Sequence, residues 1–177
     1  MLHRRLCLLI SIVWLTACVN VPDGCTPVSG FDQQRYLGTW YEIARLDHRF
    51  ERGLSNVSAT YAIREDGGIS VMNRGFDTAS QRWDSAEGKA FFVESPDVAF
   101  LKVSFFGPFY GSYVVFELDT DYRYAFVSGP NRNYLWLLAR TPKPGPAVLE
   151  RFKAAAVARG FDLEELIVVD HTPPSSD

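Results

Sequence analysis

The chain has 177 residues, of which 47% are hydrophobic, and a formal net charge of −3. This length suits one domain of ordinary size, and the apolar fraction is sufficient to bury a core by packing alone. The negative charge argues against a nucleic-acid-binding protein, which needs a basic face.

The first 17 residues have the pattern of a secretory signal. Arg4 and Arg5 precede an apolar run over residues 6–15, and this run is shorter than the roughly 18 apolar residues that span a bilayer. The run ends in Leu15-Thr16-Ala17-Cys18, which resembles the lipobox of bacterial lipoproteins. The sequence therefore predicts a signal peptide at 1–17 and acylation, with palmitate among the acyl chains, at Cys18. The alternative is an ordinary signal peptide with a chance cysteine.

The residues after Cys18 predict an anchored protein with a short linker. Val19 occupies the position where an Asp usually retains lipoproteins of this type in the inner membrane, so we expect an outer-membrane lipoprotein that faces the periplasm. Two or more acyl chains give stable anchoring. Prolines and glycines recur through residues 18–30 and favour a lipidated tether. Cys25 is the one cysteine left unmodified, which excludes a disulfide within the mature monomer.

Eight strand-like segments follow the tether, at a spacing of about 8–12 residues. They cover Thr39–Arg45, Val57–Arg64, Ile69–Phe76, Trp83–Glu94, Phe100–Phe106, Ser112–Leu118, Arg123–Ser128 and Asn133–Thr141. Most are joined by short turns, and Asp66-Gly67 between two alternating segments is a strong hairpin signal. The pattern predicts an all-β sandwich or up-and-down barrel, and eight strands that close on themselves leave room for one small ligand.

One helical segment interrupts the strand pattern near the C-terminus. Proline-rich residues 142–146 precede it and Gly160 follows it, as start and stop signals do. Apolar residues recur between them at helical spacing, at Val148, Leu149, Phe152, Ala155 and Ala156. We expect this α-helix to pack outside the barrel, Leu166–Val169 to form a short ninth strand, and residues 171–177 to form a C-terminal tail.

Three motifs appear in a fixed order along the strands. Gly38-x-Trp40 opens the first strand, Thr120-Asp121-Tyr122 lies between the sixth and seventh, and Arg140 ends the eighth. Together they resemble the three signatures of the lipocalin family. Membership implies an eight-stranded antiparallel up-and-down β-barrel in which Arg140 stacks on Trp40 at the closed end, a favourable cation–π pairing.

Two longer segments resemble the bacterial outer-membrane branch of that family, which is related to apolipoprotein D. They are HRFERGL, from His48, and KVSFFGPFYG, from Lys102. The resemblance covers residues 31–170, the predicted lipocalin domain. It implies a membrane-anchored protein that binds and stores or transports lipids, either fatty acids or lysophospholipids, for maintenance of the membrane under stress. The family includes dimers, so a homodimer stays open.

If the Thr120-Asp121-Tyr122 turn lies at the closed end, alternation of the hairpins places four loops at the open mouth. These loops are residues 47–55, 77–82, 107–111 and 129–133, and apolar side chains lie in them or beside them, at Phe50, Leu54, Phe76, Phe105, Phe106, Phe109 and Tyr110. They predict a lipid portal, and the alternative is local packing or a subunit contact. Arg49 and Arg52 are expected either to meet a ligand phosphate or carboxylate or to be solvated.

Counting along the strands from Arg140 and Trp40 predicts which side chains face inward. Counting back from Arg140 predicts that Leu138, Trp136 and Tyr134 face inward. Counting forward from Trp40 predicts the same for Glu42 and Ala44. In the sixth strand two sets stay open, one with Tyr113, Val115 and Glu117 and one with Val114, Phe116 and Leu118. The predicted ligand contacts are Tyr134, Trp136, Leu138, Ala44, Phe106, Phe109, Tyr110 and Tyr113.

The sequence has no G-x-S-x-G elbow, no P-loop and no Cys/His cluster with metal spacing. We therefore expect no catalytic residue, no metal and no cofactor, and no nucleic-acid partner. Two alternatives remain. A lipocalin-fold enzyme would have mutually bonded acids or histidines buried in its cavity, and a structural or interaction lipoprotein would have a barrel filled by its own side chains.

Overall fold

The computed structural model describes residues 19–174, so the predicted signal peptide and the acylation site at Cys18 lie outside the described part of the chain. The elements are α1 (Gln33–Tyr36), β1 (Gly38–Leu46), β2 (Leu54–Ile63), β3 (Ile69–Asp77), β4 (Arg82–Phe92), β5 (Phe100–Ser104), β6 (Gly111–Leu118), β7 (Tyr124–Ser128), β8 (Leu135–Ala139), α2 (Pro146–Val157) and β9 (Leu166–Val168). Within residues 19–174, none of the helices combines the length and apolar character that a membrane crossing needs.

Eight strands close into a barrel. β1 to β8 pair antiparallel in chain order, and β1 closes the ring by pairing with β2 on one edge and β8 on the other. β1 and β2 are paired only over Gly38–Tyr41, and β9 pairs with β1 over Ala44–Leu46, beyond the point where β2 diverges. The predicted fold, an eight-stranded antiparallel barrel with one outer helix and a short ninth strand, is confirmed.

Irregular pairing changes the face that some side chains occupy. In β1 the register shifts between Glu42 and Ala44, because Glu42 pairs with Leu138 and Ala44 pairs with the next residue, Leu137. Such a bulge turns the strand by one position. Ala44 consequently packs in the outer core against α2. The prediction that Ala44 faces inward is therefore wrong, and Arg45, paired with Trp136, points into the barrel in its place.

A second shift, between Val115 and Glu117, answers the open question about β6. Tyr113 and Val115 belong to the inner core, whereas Phe116 belongs to the outer one. After the shift the faces exchange, so that Leu118 packs with the inner core and Glu117 bonds to Arg151 of α2. Neither of the two predicted sets is correct over its whole length.

The outer core lies between the barrel wall and α2. Phe152 and Ala156 of α2 are fully buried, and the Phe152 ring meets Phe126 of β7 edge-on at 5.2 Å. Cys25 is buried in the same core. Its chain segment also pairs with the barrel, since Val28 N–H donates to the Val115 carbonyl. Much of the predicted tether, from about Pro22 onward, is therefore part of the folded domain.

Candidate functional site

The closed end of the barrel is sealed by Trp40 and Arg140. Trp40 is fully buried, and its Nε1 donates to the Tyr36 carbonyl at 2.8 Å. The Arg140 guanidinium lies 4.0 Å from the centre of the Trp40 ring and donates to the carbonyls of Arg35 and Thr39 at 2.6 and 3.0 Å. Gly38 has a φ of +88°, and a Cβ there would lie 3.5 Å from Arg140 Nη1, so glycine suits both the backbone and the close contact.

The Thr120-Asp121-Tyr122 turn lies at the same end and holds α1 in place. The Tyr122 hydroxyl accepts the backbone N–H of Asp32 at 2.8 Å, and the Arg35 guanidinium lies 4.2 Å from the centre of the Tyr122 ring. Asp32 in turn caps α1 by accepting the N–H groups of its first turn. This four-residue helix was not predicted, and it brings Tyr36 to the floor of the lumen.

Three tyrosine hydroxyls meet above that floor. Tyr113 Oη lies 2.6 Å from Tyr36 Oη and 3.0 Å from Tyr61 Oη. Tyr36 comes from α1, Tyr61 from β2 and Tyr113 from β6. Aromatic contacts hold the side chains in place, and the ring centres of Tyr36 and Trp40, for example, are 4.6 Å apart. Burial raises the pKa of each of the three hydroxyls, so they remain protonated at neutral pH.

The rest of the inner wall is apolar and only partly packed. Leu101, Val71 and Val127 are buried in the inner core, while Val103 and Phe105, which belong to the same core, remain partly accessible. The wall is closed by hydrogen-bonded strands around its circumference, and these accessible side chains lie at the mouth end of β5, at the entrance to the interior space of the barrel. That space is the candidate ligand-binding lumen.

A buried charged cluster lies between the lumen and the mouth. Arg45 is 1% exposed, and its Nη1 contacts Glu42 Oε1 at 2.6 Å. Arg45 Nη2 donates to the carbonyl of Glu51 at 2.7 Å, and the Glu51 carboxylate accepts Trp136 Nε1 at 3.1 Å. His48 Nε2 lies 2.9 Å from the same Glu51 oxygen, without the alignment of a hydrogen bond. Trp136 thus connects the cluster to the lumen.

The two carboxyls of this cluster have opposite pKa shifts. Burial, reinforced by the nearby Glu51 charge, raises the pKa of Glu42 well above its usual range, despite the ion pair with Arg45. Burial also acts to raise the pKa of Glu51, but His48, Trp136 and Arg45 together outweigh it and lower that pKa. The surroundings of the cluster thus favour the charged form of Glu51 and disfavour the charged form of Glu42.

The mouth carries exposed aromatic side chains. Phe106 is 71% exposed and Phe109 is 78% exposed, and both belong to the loop between β5 and β6. Tyr110, in the same loop, lies under Lys102, with the ammonium 5.4 Å from the ring centre. The two arginines of the first loop differ: Arg52 is paired with Asp47, whereas Arg49 lies 4.9 Å from the ring centre of Phe50.

Two cavities lie outside the lumen. One, of about 380 Å³, is on the outer face of β1 to β3 and is bordered by Tyr41, Met72 and Trp83. The other, of about 640 Å³, is at the rim and is lined by His48 and Tyr134 together with acidic residues that follow α2. Both border charged or polar side chains and neither is enclosed by the barrel wall.

The structure brings together some of the predicted ligand contacts. Tyr113, Trp136 and Leu138 lie in the inner core or against it, and Tyr134 stacks on Trp136 at the rim with ring centres 6.0 Å apart. Phe106, Phe109 and Tyr110 are grouped in one loop at the mouth. Ligand contact by these residues stays a prediction.

Sequence reasoning missed Tyr36, Tyr61, Arg45 and Glu51. Tyr61 was within reach of the pairing argument, because Ala59 pairs with Trp40 and Tyr61 lies two residues further along β2 on the same face. Arg45 was hidden by the bulge at Glu42, which no local sequence signal marks. In the stretch from 19 to 174, no three His, Cys, Asp or Glu side chains are placed to hold a metal ion.

Comparison with known proteins agrees with this geometry. The family model for a lipocalin-like domain matches residues 31–171. The chain is 56% identical to the outer membrane lipoprotein Blc of Vibrio cholerae serotype O1, over 94% of this chain and 98% of that one. It is 30% identical to apolipoprotein D of Mus musculus, over 79% of this chain and 77% of that one.

Solved structures support the fold independently. Insecticyanin from the tobacco hornworm Manduca sexta superposes with a TM-score of 0.66 at 19% identity, covering 87% of this chain and 88% of that one. The predicted family and the resemblance to outer-membrane lipoproteins are both confirmed by these relatives. The chain belongs to the lipocalin family.

Proposed function

We propose that this lipocalin is an outer-membrane lipoprotein that binds a fatty acid or lysophospholipid in its lumen, faces the periplasm, and helps to maintain the membrane under stress. The family as a whole binds small hydrophobic ligands. The observation that carries the proposal for this chain is the inner wall, where apolar side chains such as Val103 and Phe105 stay partly accessible inside a closed barrel. Each methylene of an alkyl chain transferred to such a wall contributes about 0.8 kcal/mol.

The mouth supports the same proposal. Phe106 and Phe109 extend into solvent without packing in either core, as expected of a surface that contacts lipid or a partner. In the first loop, Asp47 pairs with Arg52, whereas Arg49 lies over the Phe50 ring. We therefore assign the phosphate or carboxylate of a ligand headgroup to Arg49 rather than to Arg52. With acylated Cys18 only a short segment away from Pro22, the barrel would stay close to the membrane surface.

One observation in the buried charged cluster favours a second candidate function, that of an enzyme with a lipocalin fold. His48 and Glu51 are close together and buried, as in a lipocalin-fold enzyme. The Glu51 carboxylate, however, also accepts Trp136 Nε1, and Arg45 is occupied by Glu42 and backbone carbonyls. Glu51 and Arg45 are thus held by structural partners, and within the described residues no nucleophile bonds to the His48 imidazole, so binding without catalysis is the better supported function.

Native ligands provide the direct test. A form that begins after Cys18, and so lacks the proposed acyl anchor, is exported to the periplasm and purified without detergent, and its bound lipids are extracted and identified by mass spectrometry. We expect fatty acid or lysophospholipid at close to one molecule per barrel. Protein that repeatedly contains no acyl chain would contradict the proposal. Incubation with a fluorogenic fatty-acid ester, comparing wild type with His48→Gln, tests the enzymatic alternative, which predicts hydrolysis that the substitution abolishes.

Tryptophan fluorescence tests the position of the ligand. Trp136 packs against the inner core, whereas Trp83 lies on the outer face, 45% exposed and 4.0 Å from Arg74. Titration with a fatty acid should quench the wild-type emission. We expect Trp136→Phe to remove most of the ligand-induced change and Trp83→Phe, the matched control, to retain it. The opposite pattern would place the ligand outside the barrel.

A further inference from the structure

The tyrosine cluster at the floor of the lumen has one more hydrogen-bond donor than its own contacts use. Tyr36, Tyr61 and Tyr113 carry three hydroxyl hydrogens, and the two oxygen–oxygen contacts among them, at 2.6 and 3.0 Å, use two. Over residues 19–174, these three hydroxyls make no further hydrogen bond to the protein. The third hydrogen therefore needs an acceptor from outside the protein.

The apolar surroundings make it costly to leave that hydroxyl hydrogen without an acceptor. The cluster is packed among buried apolar side chains, including Val71, Leu101 and Val115, and a donor left unpaired in such surroundings is costly. The hydroxyls stay protonated because burial raises their pKa. A terminal methyl of a simple alkyl chain would leave the donor unpaired, whereas an oxygen atom at that end of the chain would pair with it.

The charge nearby selects a neutral oxygen. Burial raises the pKa of Tyr61, and the Glu51 and Glu42 carboxyls add to that effect, while the Arg140 charge opposes it. The nitrogens of Arg140 already donate to three backbone carbonyls, and the surroundings of Glu51 favour its charged form. A ligand carboxylate inserted to this depth would be repelled by Glu51. A hydroxyl carries no charge, can accept the spare hydrogen, and can donate its own hydrogen to a tyrosine oxygen.

We propose that the Tyr36–Tyr61–Tyr113 cluster is a specificity site for amphiphiles that carry a neutral oxygen group, such as a hydroxyl, at the inner end of the buried chain. This inference rests on the proposed lipid-binding function and adds a class of ligand to it. The three hydroxyls act together: Tyr113 joins the other two, and the alkyl chain above them contacts the apolar wall. The ligand's charged headgroup remains at the mouth.

The test compares hexadecanoic acid with 16-hydroxyhexadecanoic acid. Dissociation constants are measured by tryptophan quenching for the full-length protein and for the triple variant Tyr36→Phe, Tyr61→Phe, Tyr113→Phe. The triple variant removes every hydroxyl of the cluster together and so leaves none unpaired, which is the least disruptive way to remove a buried polar group. Tyr41→Phe with Tyr124→Phe, both on the outer core, is the matched control.

In the wild type, the hydroxy acid should bind at least as tightly as hexadecanoic acid, because its hydroxyl pairs with the spare donor. In the triple variant, the hydroxy acid should lose at least about tenfold relative to hexadecanoic acid, because its hydroxyl then enters a wholly apolar site. The control should keep the wild-type ratio. An unchanged ratio in the triple variant, including equal weakening of both acids, would overturn this inference alone. Failure of both acids to bind to the wild type would overturn the proposed function as well.

Discussion

Neighbouring residues of β8 face two different environments. Leu135, Leu137 and Ala139 point toward α2 and are fully buried, whereas Trp136 points into the barrel and remains partly accessible. Where α2 lies, the outer face of the wall is filled by Phe126, Phe152 and their neighbours. The inner face combines buried side chains such as Leu138 with the partly accessible Trp136. At β8, therefore, the face toward α2 is fully packed and supplies stability, whereas the inner face is packed less completely and can accept a ligand.

The ion pairs on the two faces of the barrel wall also differ in how deeply they are buried. On the outer face, Glu117 bonds to Arg151, a pair exposed enough for solvent to screen it. On the inner face, Arg45 and Glu42 are almost completely buried. Burying an ion pair is costly unless its members are also hydrogen-bonded, and Arg45 meets this condition through the carbonyls of Glu51 and Leu54. Substitutions on the two faces should therefore affect different properties.

The largest expected effect is on the outer face. Phe152→Ala removes a fully buried ring that contacts Phe126, and the cavity and lost transfer energy should cost about 3–5 kcal/mol of unfolding free energy. Urea denaturation measures this loss. Val157→Ala, at a position 61% exposed in the same helix, is the control and should change stability little. Fatty-acid affinity of the folded Phe152→Ala protein should be unchanged, and a specific loss of affinity would show that the two faces are not separate.

The closed end should show a smaller loss. Arg140→Ala removes hydrogen bonds to the Arg35 and Thr39 carbonyls and the contact with Trp40, which together should cost about 2 kcal/mol. Arg140→Lys keeps the charge but loses the fork of donors, so it should recover only part of this loss. Thermal unfolding of the wild type, Arg140→Lys and Arg140→Ala measures this order of stability. Equal stability of Arg140→Ala and wild type would mean that the signature arginine does not hold the floor.

The charged cluster of the inner face gives a prediction about pH. Glu42 has a raised pKa in the folded protein, so it contributes most stability below the ordinary glutamate pKa of 4.5 and loses that contribution as the pH rises through the raised value. Glu42→Gln, which resembles the protonated acid, should therefore gain stability relative to wild type with rising pH. Urea denaturation midpoints of the wild type and Glu42→Gln, measured from pH 4.5 upward, test this change in relative stability.

Glu51→Gln is the matched comparison for this pH effect. The pKa of Glu51 is lowered in the fold, so its contribution is present above 4.5 and lost as the pH falls through the lowered value. This variant should be least stable relative to wild type at neutral pH and approach it on acidification. Parallel pH profiles for Glu42→Gln and Glu51→Gln would contradict the opposite shifts assigned to the two acids.

Most of the barrel was predictable because its signals are local or ordered along the chain. Hairpin turns separate strands of regular length, and the order of Gly38, Trp40 and Arg140 fixes the closed end. Counting in twos from Arg140 placed Leu138 and Trp136 correctly on the inner side. The same count failed for Ala44 in β1, since a bulge depends on pairing with a distant strand and leaves no mark in the local sequence.

The polar part of the site was harder to predict. Tyr36, Tyr61 and Tyr113 come from three separate elements and meet only when the barrel closes. His48 and Glu51 belong to a loop region whose residue types suggest a solvated turn, yet their side chains are buried against Trp136. Such groups depend on tertiary contacts that hydrophobic periodicity does not describe.

The smallest effect on stability should come from the mouth. Phe106 and Phe109 pack in neither core, so replacing both with serine should change the unfolding free energy by less than about 0.5 kcal/mol. If the exposed rings guide lipid into the lumen, transfer of a fluorescent fatty acid from phospholipid vesicles should slow in this variant. Met72→Ser with Val168→Ser, exposed positions on the outer wall, is the matched control. Unchanged transfer by the mouth variant would assign its aromatic residues to a partner other than lipid.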